Sequence, residues 1–266
     1  MDGASGSTVT GLHAHVASFE NDLSDLEVEG TVPADLDGAC FRVRGIWAMP
    51  PKFADDSPFS EDGYISSFRI ARGGVSYRGR WIRTRRFEAN LAAGRQMYGY
   101  YRNPYTDDLS VRDLERPELR TVMNTAPFVH AGRLFAAKED ALLHEIDPVS
   151  LSTLSLGHDV EGGYRSPTFT AHPKTDPVTG DLVRYGYEAG GLANDDLWLY
   201  VITKEGKVAR EIRLKVPYVS MVHDIAITEQ HIIIRSSKHV RSRIRRTDPY
   251  VVRTEFRAED CLGQGR

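Results

Sequence analysis

Apolar and polar residues alternate along this chain over short stretches and seldom recur at helical spacing. In SSFRIARGGVSYRGRWIRT (66–84), Phe68 and Ile70, then Val75 and Tyr77, alternate with polar neighbours on either side of Arg72-Gly73-Gly74. Period-two patterning about a glycine turn predicts two half-buried strands joined as a hairpin. DDLWLYVITKEGKVAREIRLKV (195–216) repeats the design: Leu197, Leu199 and Val201 precede Lys204-Glu205-Gly206-Lys207, and Val208 and Ile212 follow it. Asp147-Pro148-Val149 and Asp176-Pro177-Val178 place proline where it pre-sets a bend, and their likeness hints at a repeated strand unit. A single helix is predicted, over 85–101 (RRFEANLAAGRQMYGYY). Many short strands with turn chemistry between them make an all-β sandwich, barrel or propeller.

The two ends differ from this body. Residues 1–24 are small and polar, 25–234 carry the strand pattern, and 235–266 lose the alternation, with eight arginines and one lysine against four acids. A formal charge of −3, with 27% charged residues, lacks the basic excess that non-specific nucleic-acid binding needs, so nucleic acid is not an expected partner. Cys40 and Cys261 are too few for a disulfide framework or a thiolate zinc site and point to a reducing compartment. With no basic-then-apolar leader and no apolar run long enough to span a bilayer, the chain reads as soluble and cytoplasmic. No glycine-rich phosphate loop opens a helix, because Gly73-Gly74 and Gly190-Gly191 both lie between strand-like runs.

Nine histidines are present, none in an H-E-x-x-H pair or a close His/Cys cluster, so any metal site must be assembled from distant strands. Two have apolar, strand-like settings: His172 in SPTFTAHPKTDP and His223 in PYVSMVHDIAIT. Taken singly, each is more often a core imidazole bonded to a backbone carbonyl than a ligand.

NTAPFVHAGRLFAAKEDALLHEIDPVSLSTL, SPTFTAHPKTDPVTGDLVRYGYEA and MVHDIAITE follow GTVPADLDGACFRVRG, EDGYISSFRI and YRNPYTDD in the chain. In this order they resemble the blocks of the carotenoid cleavage oxygenase family, including its lignostilbene dioxygenase branch, over roughly residues 25–234. The resemblance implies a seven-bladed β-propeller, here an incomplete one of about the N-terminal half, around a non-haem Fe(II) held by four histidines. His172 matches the first ligand, at the end of a propeller strand, and His223 the second. The third and fourth lie beyond the resembling region, and His231 and His239 sit in no matching block.

Glu139 matches the glutamate that orients a ligand histidine. Tyr105 and Lys138 match a pair that binds a substrate phenol and helps deprotonate it, and Phe59 is either a ring that packs on the substrate or a core aromatic. The implied reaction is O2-dependent cleavage of a C=C bond in a 4-hydroxystilbene or apocarotenoid to two aldehydes, so the implied partners are that small molecule and O2. The alternative is a truncated, non-catalytic member lacking two of the four ligands, its Arg-rich ending being a shifted reading frame or a solvated charged tail. A local departure is Glu61 in Glu61-Asp62-Gly63, where the family has G-D-G.

Overall fold

A computed structural model of the chain describes residues 19–156, 163–216, 221–237 and 251–257. The predicted hairpins are the centres of antiparallel sheets. β1 (Asn21–Leu23), β2 (Gly38–Ile46), β3 (Asp62–Ala71) and β4 (Gly74–Trp81) form the first, in the order β1-β4-β3-β2. Arg72 and Gly73, both at positive φ (50° and 78°), make the two-residue turn between β3 and β4, the geometry whose twist suits a tight hairpin. β5 (Ala126–His130), β6 (Arg133–Ala137), β7 (His144–Ile146) and β8 (Thr153–Leu156) form a four-stranded meander. A second meander joins β9 (Lys174–Thr175), β10 (Leu182–Tyr187), β11 (Asp196–Ile202) and β12 (Val208–Lys215). β13 (Ile225–Ile227), β14 (His231–Ser237) and β15 (Val251–Arg257) form the fourth sheet. Four-stranded antiparallel meanders are the blade unit of a propeller.

The sheets pack face to face in chain order. Val43 and Ile65 of the first meet Leu134, Ala136 and Ile146 of the second. Phe128 of the second packs with Leu182 and Tyr200 of the third. Tyr185, Leu197 and Leu199 of the third meet Val222, Ile225 and Ile234 at the fourth. Between the second and third sheets the fully buried guanidinium of Arg184 lies 4.1 to 4.2 Å from the ring centroids of Tyr164, Phe169 and Tyr200. Its Nη2 donates to the Thr168 carbonyl at 3.4 Å, and burial pulls its pKa down to about 10. Three π-faces here replace the carboxylate that usually accompanies a buried arginine.

Several sequence expectations are corrected. The helix α1 covers only Arg85–Ala93, not 85–101. Thr84 caps its start by accepting the Phe87 N–H, and Gly94 ends it at φ 66°, the left-handed conformation that closes a helix. Asn90 Oδ1 then takes the Met97 N–H at 2.9 Å and holds the following segment as loop. Residues 21–23 belong to the first sheet through β1–β4 pairing and not to a polar leader. β14 runs through the expected boundary at 235, and β15 lies inside the Arg-rich stretch, pairing with β14 from His231↔Arg257 to Ser237↔Val251. Asp147 and Asp176 make the same turn, each accepting backbone N–H groups two and three residues on. One joins β7 to β8 and the other β9 to β10, so the repeated tripeptide marks a turn type and not a blade register. Cys261 and His239 lie outside the described residues.

Candidate metal and phenol site

Three consecutive sheets deliver the site. His172 stands two residues ahead of β9, the first strand of the third sheet, and His223 two residues ahead of β13, the first strand of the fourth. His172 therefore precedes a strand, where the sequence reading put it at a strand's end. The two rings come together with centroids 4.7 Å apart and planes at 72°. Lys174 and Asp224, just beyond them, form an ion pair at 2.7 Å that ties the two segments together.

From the second sheet, the turn after β6 contributes Lys138 and Glu139, each only 1% exposed. His223 Nδ1 donates to Glu139 Oε1 at 2.7 Å, which leaves Nε2 as the lone-pair nitrogen. Tyr101 donates its hydroxyl to the other oxygen, Oε2, at 3.4 Å. Burial, with Asp140 and Glu139 adding to it, raises the Tyr101 pKa and keeps the hydroxyl protonated. Burial also lowers the pKa of His172, followed by the neighbouring His223, and favours the neutral imidazole that a metal needs.

Lys138 lies 4.7 Å over the Tyr101 ring and 5.3 Å over the Phe59 ring. Its Nζ donates to Asn124 Oδ1 at 2.6 Å and to the Phe59 carbonyl at 3.1 Å. Asn124 is fixed in turn by donating Nδ2 to the Glu61 and Pro58 carbonyls, at 2.8 and 3.2 Å. Burial lowers the lysine's pKa. Phe59 stacks on Tyr101 with centroids 5.5 Å apart and is itself 48% exposed, so the cluster opens on that side. Glu61 has φ −61°, an ordinary extended conformation that does not call for glycine.

Tyr105 is not part of this cluster. It is 70% exposed in the 3-10 turn Pro104–Thr106. Tyr101, four residues earlier, occupies the place beside Lys138 that the sequence reading gave to Tyr105. The Y-Y-R-N-P-Y run offers three tyrosines, and the signal that separates them is the proline turn, which carries the last one outward. Asn124 was also missed, and nothing in its local sequence marks it.

The imidazole pair suits a ferrous ion: two imidazoles stand side by side, and a carboxylate sets the orientation of one. The imidazole nitrogens of His172 and the Nε2 of His223 have no hydrogen-bond partner among the described residues. No group of three or more His, Cys, Asp or Glu among those residues is arranged to hold a metal. No helix of the described residues is long and apolar enough to cross a membrane.

Comparison with known proteins agrees with this architecture. A resveratrol cleavage oxygenase from Chaetomium globosum is 44% identical over 219 residues, covering 81% of this chain and 36% of the relative. An isoeugenol monooxygenase from Pseudomonas nitroreducens is 42% identical, covering 79% of this chain and 43% of the relative. The crystal structure of the Pseudomonas brassicacearum lignostilbene dioxygenase superposes with a TM-score of 0.78 at 38% identity, over 84% of this chain and 45% of that one. The chain thus spans less than half the length of these relatives. The profile of the retinal pigment epithelial membrane protein family matches residues 15–252. By sequence, fold and sheet order, the chain belongs to that family, the carotenoid cleavage oxygenases.

Proposed function

We propose that this chain carries the phenol-binding pocket and two iron ligands, His172 and His223, of an O2-dependent oxygenase. The reaction is cleavage of the central C=C bond of a 4-hydroxystilbene to two aldehydes. The observation that carries the reading is the Lys138–Tyr101–Glu139–His223 chain of contacts, which joins a buried cation and a phenol hydroxyl to the imidazole pair.

An ammonium has three N–H donors, and Asn124 and the Phe59 carbonyl engage two of those on Lys138. The third is available for a substrate phenol oxygen, beside the Tyr101 hydroxyl. The lowered pKa of Lys138 makes it a group that exchanges a proton with a bound phenol more readily than a solvated lysine does. A phenolate stabilised there pushes electron density along the conjugated system to the double bond. Phe59 covers the pocket by ring stacking. When bound, Fe(II) supplies the activation of O2 next to that bond.

The relatives named for resveratrol, lignostilbene and isoeugenol support a phenolic substrate over an apocarotenoid. With Fe(II) and O2, 4-hydroxystilbene is expected to give two aldehydes, and Tyr101→Phe or Lys138→Met to lower kcat/KM at least ~10-fold. Tyr105→Phe should leave both unchanged. Absence of aldehyde overturns the cleavage reaction; a loss confined to Tyr105→Phe overturns the pocket assignment.

A further inference from the structure

The two imidazoles are brought together from segments that share no strand pairing, so something must set their separation. β10 provides it. Tyr185, fully buried in this strand, donates its hydroxyl to the carbonyl of Val222 at 2.9 Å, one residue before His223. Thr170 Oγ1 accepts the backbone N–H of His172 at 3.0 Å. β9, two residues further on, pairs with β10 at Lys174↔Val183 and Thr175↔Leu182, so the two histidines are bridged through Thr170, β10 and Tyr185. Thr170 and Val222 are both 0% exposed, so no solvent competes for these groups.

The rest of β10 keeps the His172 segment in place. The Tyr187 carbonyl accepts from Thr168 Oγ1 at 2.9 Å. At Gly186 a Cβ would stand 2.4 Å from the Thr168 carbonyl and 2.3 Å from Ser166 Oγ, so only glycine lets the segment lie this close. Lys174–Asp224 ties the same two segments on the solvent side, with side chains 32% and 51% exposed.

We propose that Tyr185 is the positioning residue of the imidazole pair: its hydroxyl, holding Val222 to the strand that pairs with β9, sets the spacing of His172 and His223 for a divalent metal. This rests on the pair being a metal site. Bonds that fix the orientation of ligands are commonly worth ten- to a hundredfold in metal affinity. They act through geometry, so removing one hydroxyl should weaken binding without removing a ligand.

The test is Co(II) titration of the full chain, followed by calorimetry and the visible spectrum, for wild type, Tyr185→Phe, Thr170→Val and the double variant. Each substitution is expected to weaken Co(II) binding about tenfold, and the double variant to be no weaker than either single, because both remove one bridge. Thr170→Ser, which keeps the hydroxyl, should restore wild-type affinity. Histidine side-chain NMR of the metal-free chain adds a second readout: His172 and His223 shift together in Tyr185→Phe while His130 does not. Wild-type affinity in both Tyr185→Phe and Thr170→Val overturns the proposal, as does additive loss in the double variant. His172→Ala and His223→Ala separate the two claims. If they bind Co(II) like wild type, the metal reading itself fails; if they lose it while Tyr185→Phe keeps it, only the role of Tyr185 fails.

Discussion

The first and third sheets have four strands each and opposite surroundings. In the first, Leu23 is 47% and Phe68 40% exposed, and β2 is mostly half-buried or exposed along its length. In the third, every residue of β10 is buried. The central pairs β2–β3, β3–β4 and β10–β11 all run in unbroken register, so pairing is not the source of the difference. The third sheet lies between two others, whereas the first, among the described residues, meets one other sheet, the second, and Phe87 of α1. A sheet covered on both faces loses the alternating pattern and becomes continuous core. His172 enters that covered sheet and Glu139 is buried beside it, whereas the His223 side chain, at the fourth sheet, is 55% exposed.

Truncating the core should separate the two sheets most sharply. Leu199→Ala in β11, at a residue 1% exposed, is expected to cost about 3 kcal/mol, and Phe68→Ala in β3 less than about 1 kcal/mol. Urea unfolding of the two variants measures both, and equal losses would erase the contrast.

The next effect is a pH dependence. His144 of the second sheet is 5% exposed, and burial pulls its pKa from 6.5 down to about 4. Between these values the unfolded chain binds a proton there that the folded chain does not, so stability falls as pH drops from 6.5 towards 4. The full loss is on the order of 3 kcal/mol. His144→Gln should flatten the stability profile across that window and leave its slope above pH 7 unchanged.

Smaller still is the glycine comparison. Gly186→Ala must displace backbone at Thr168 and is expected to cost about 2 kcal/mol, whereas Gly38→Ala in β2 meets nothing within 4 Å and should be close to neutral. Thermal melts of both variants suffice, and a neutral Gly186→Ala would mean that β10 does not fix the segment it touches.

Hairpins were legible because their information is local. Arg72-Gly73 and the Lys204–Lys207 loop carry their own turn chemistry, and the alternation beside them sets the strands. The helix was legible at its start, where Thr84 caps it, and not at its end. Gly94 stops it, but the apolar residues beyond read as continuing until Asn90 is seen to capture the Met97 N–H. His172, His223, Lys138 and Glu139, which the structure gathers into one cluster, stand in short blocks that neighbours in sequence define. Tyr101 and Asn124 were missed because their roles depend on which side chains stand opposite, across 37 and 14 residues of chain. Nor does sequence show that Arg184 has three rings around it, as Tyr164 and Phe169 come from a segment with no strand pattern.

Glu139 has one oxygen on His223 and the other on Tyr101. A single carboxylate thus answers to two clients, and no exchange at residue 139 can retune one without disturbing the other. Any reshaping of this cluster therefore has to proceed around the acid, at Phe59, Tyr101 or the walls beyond, while residue 139 itself stays put.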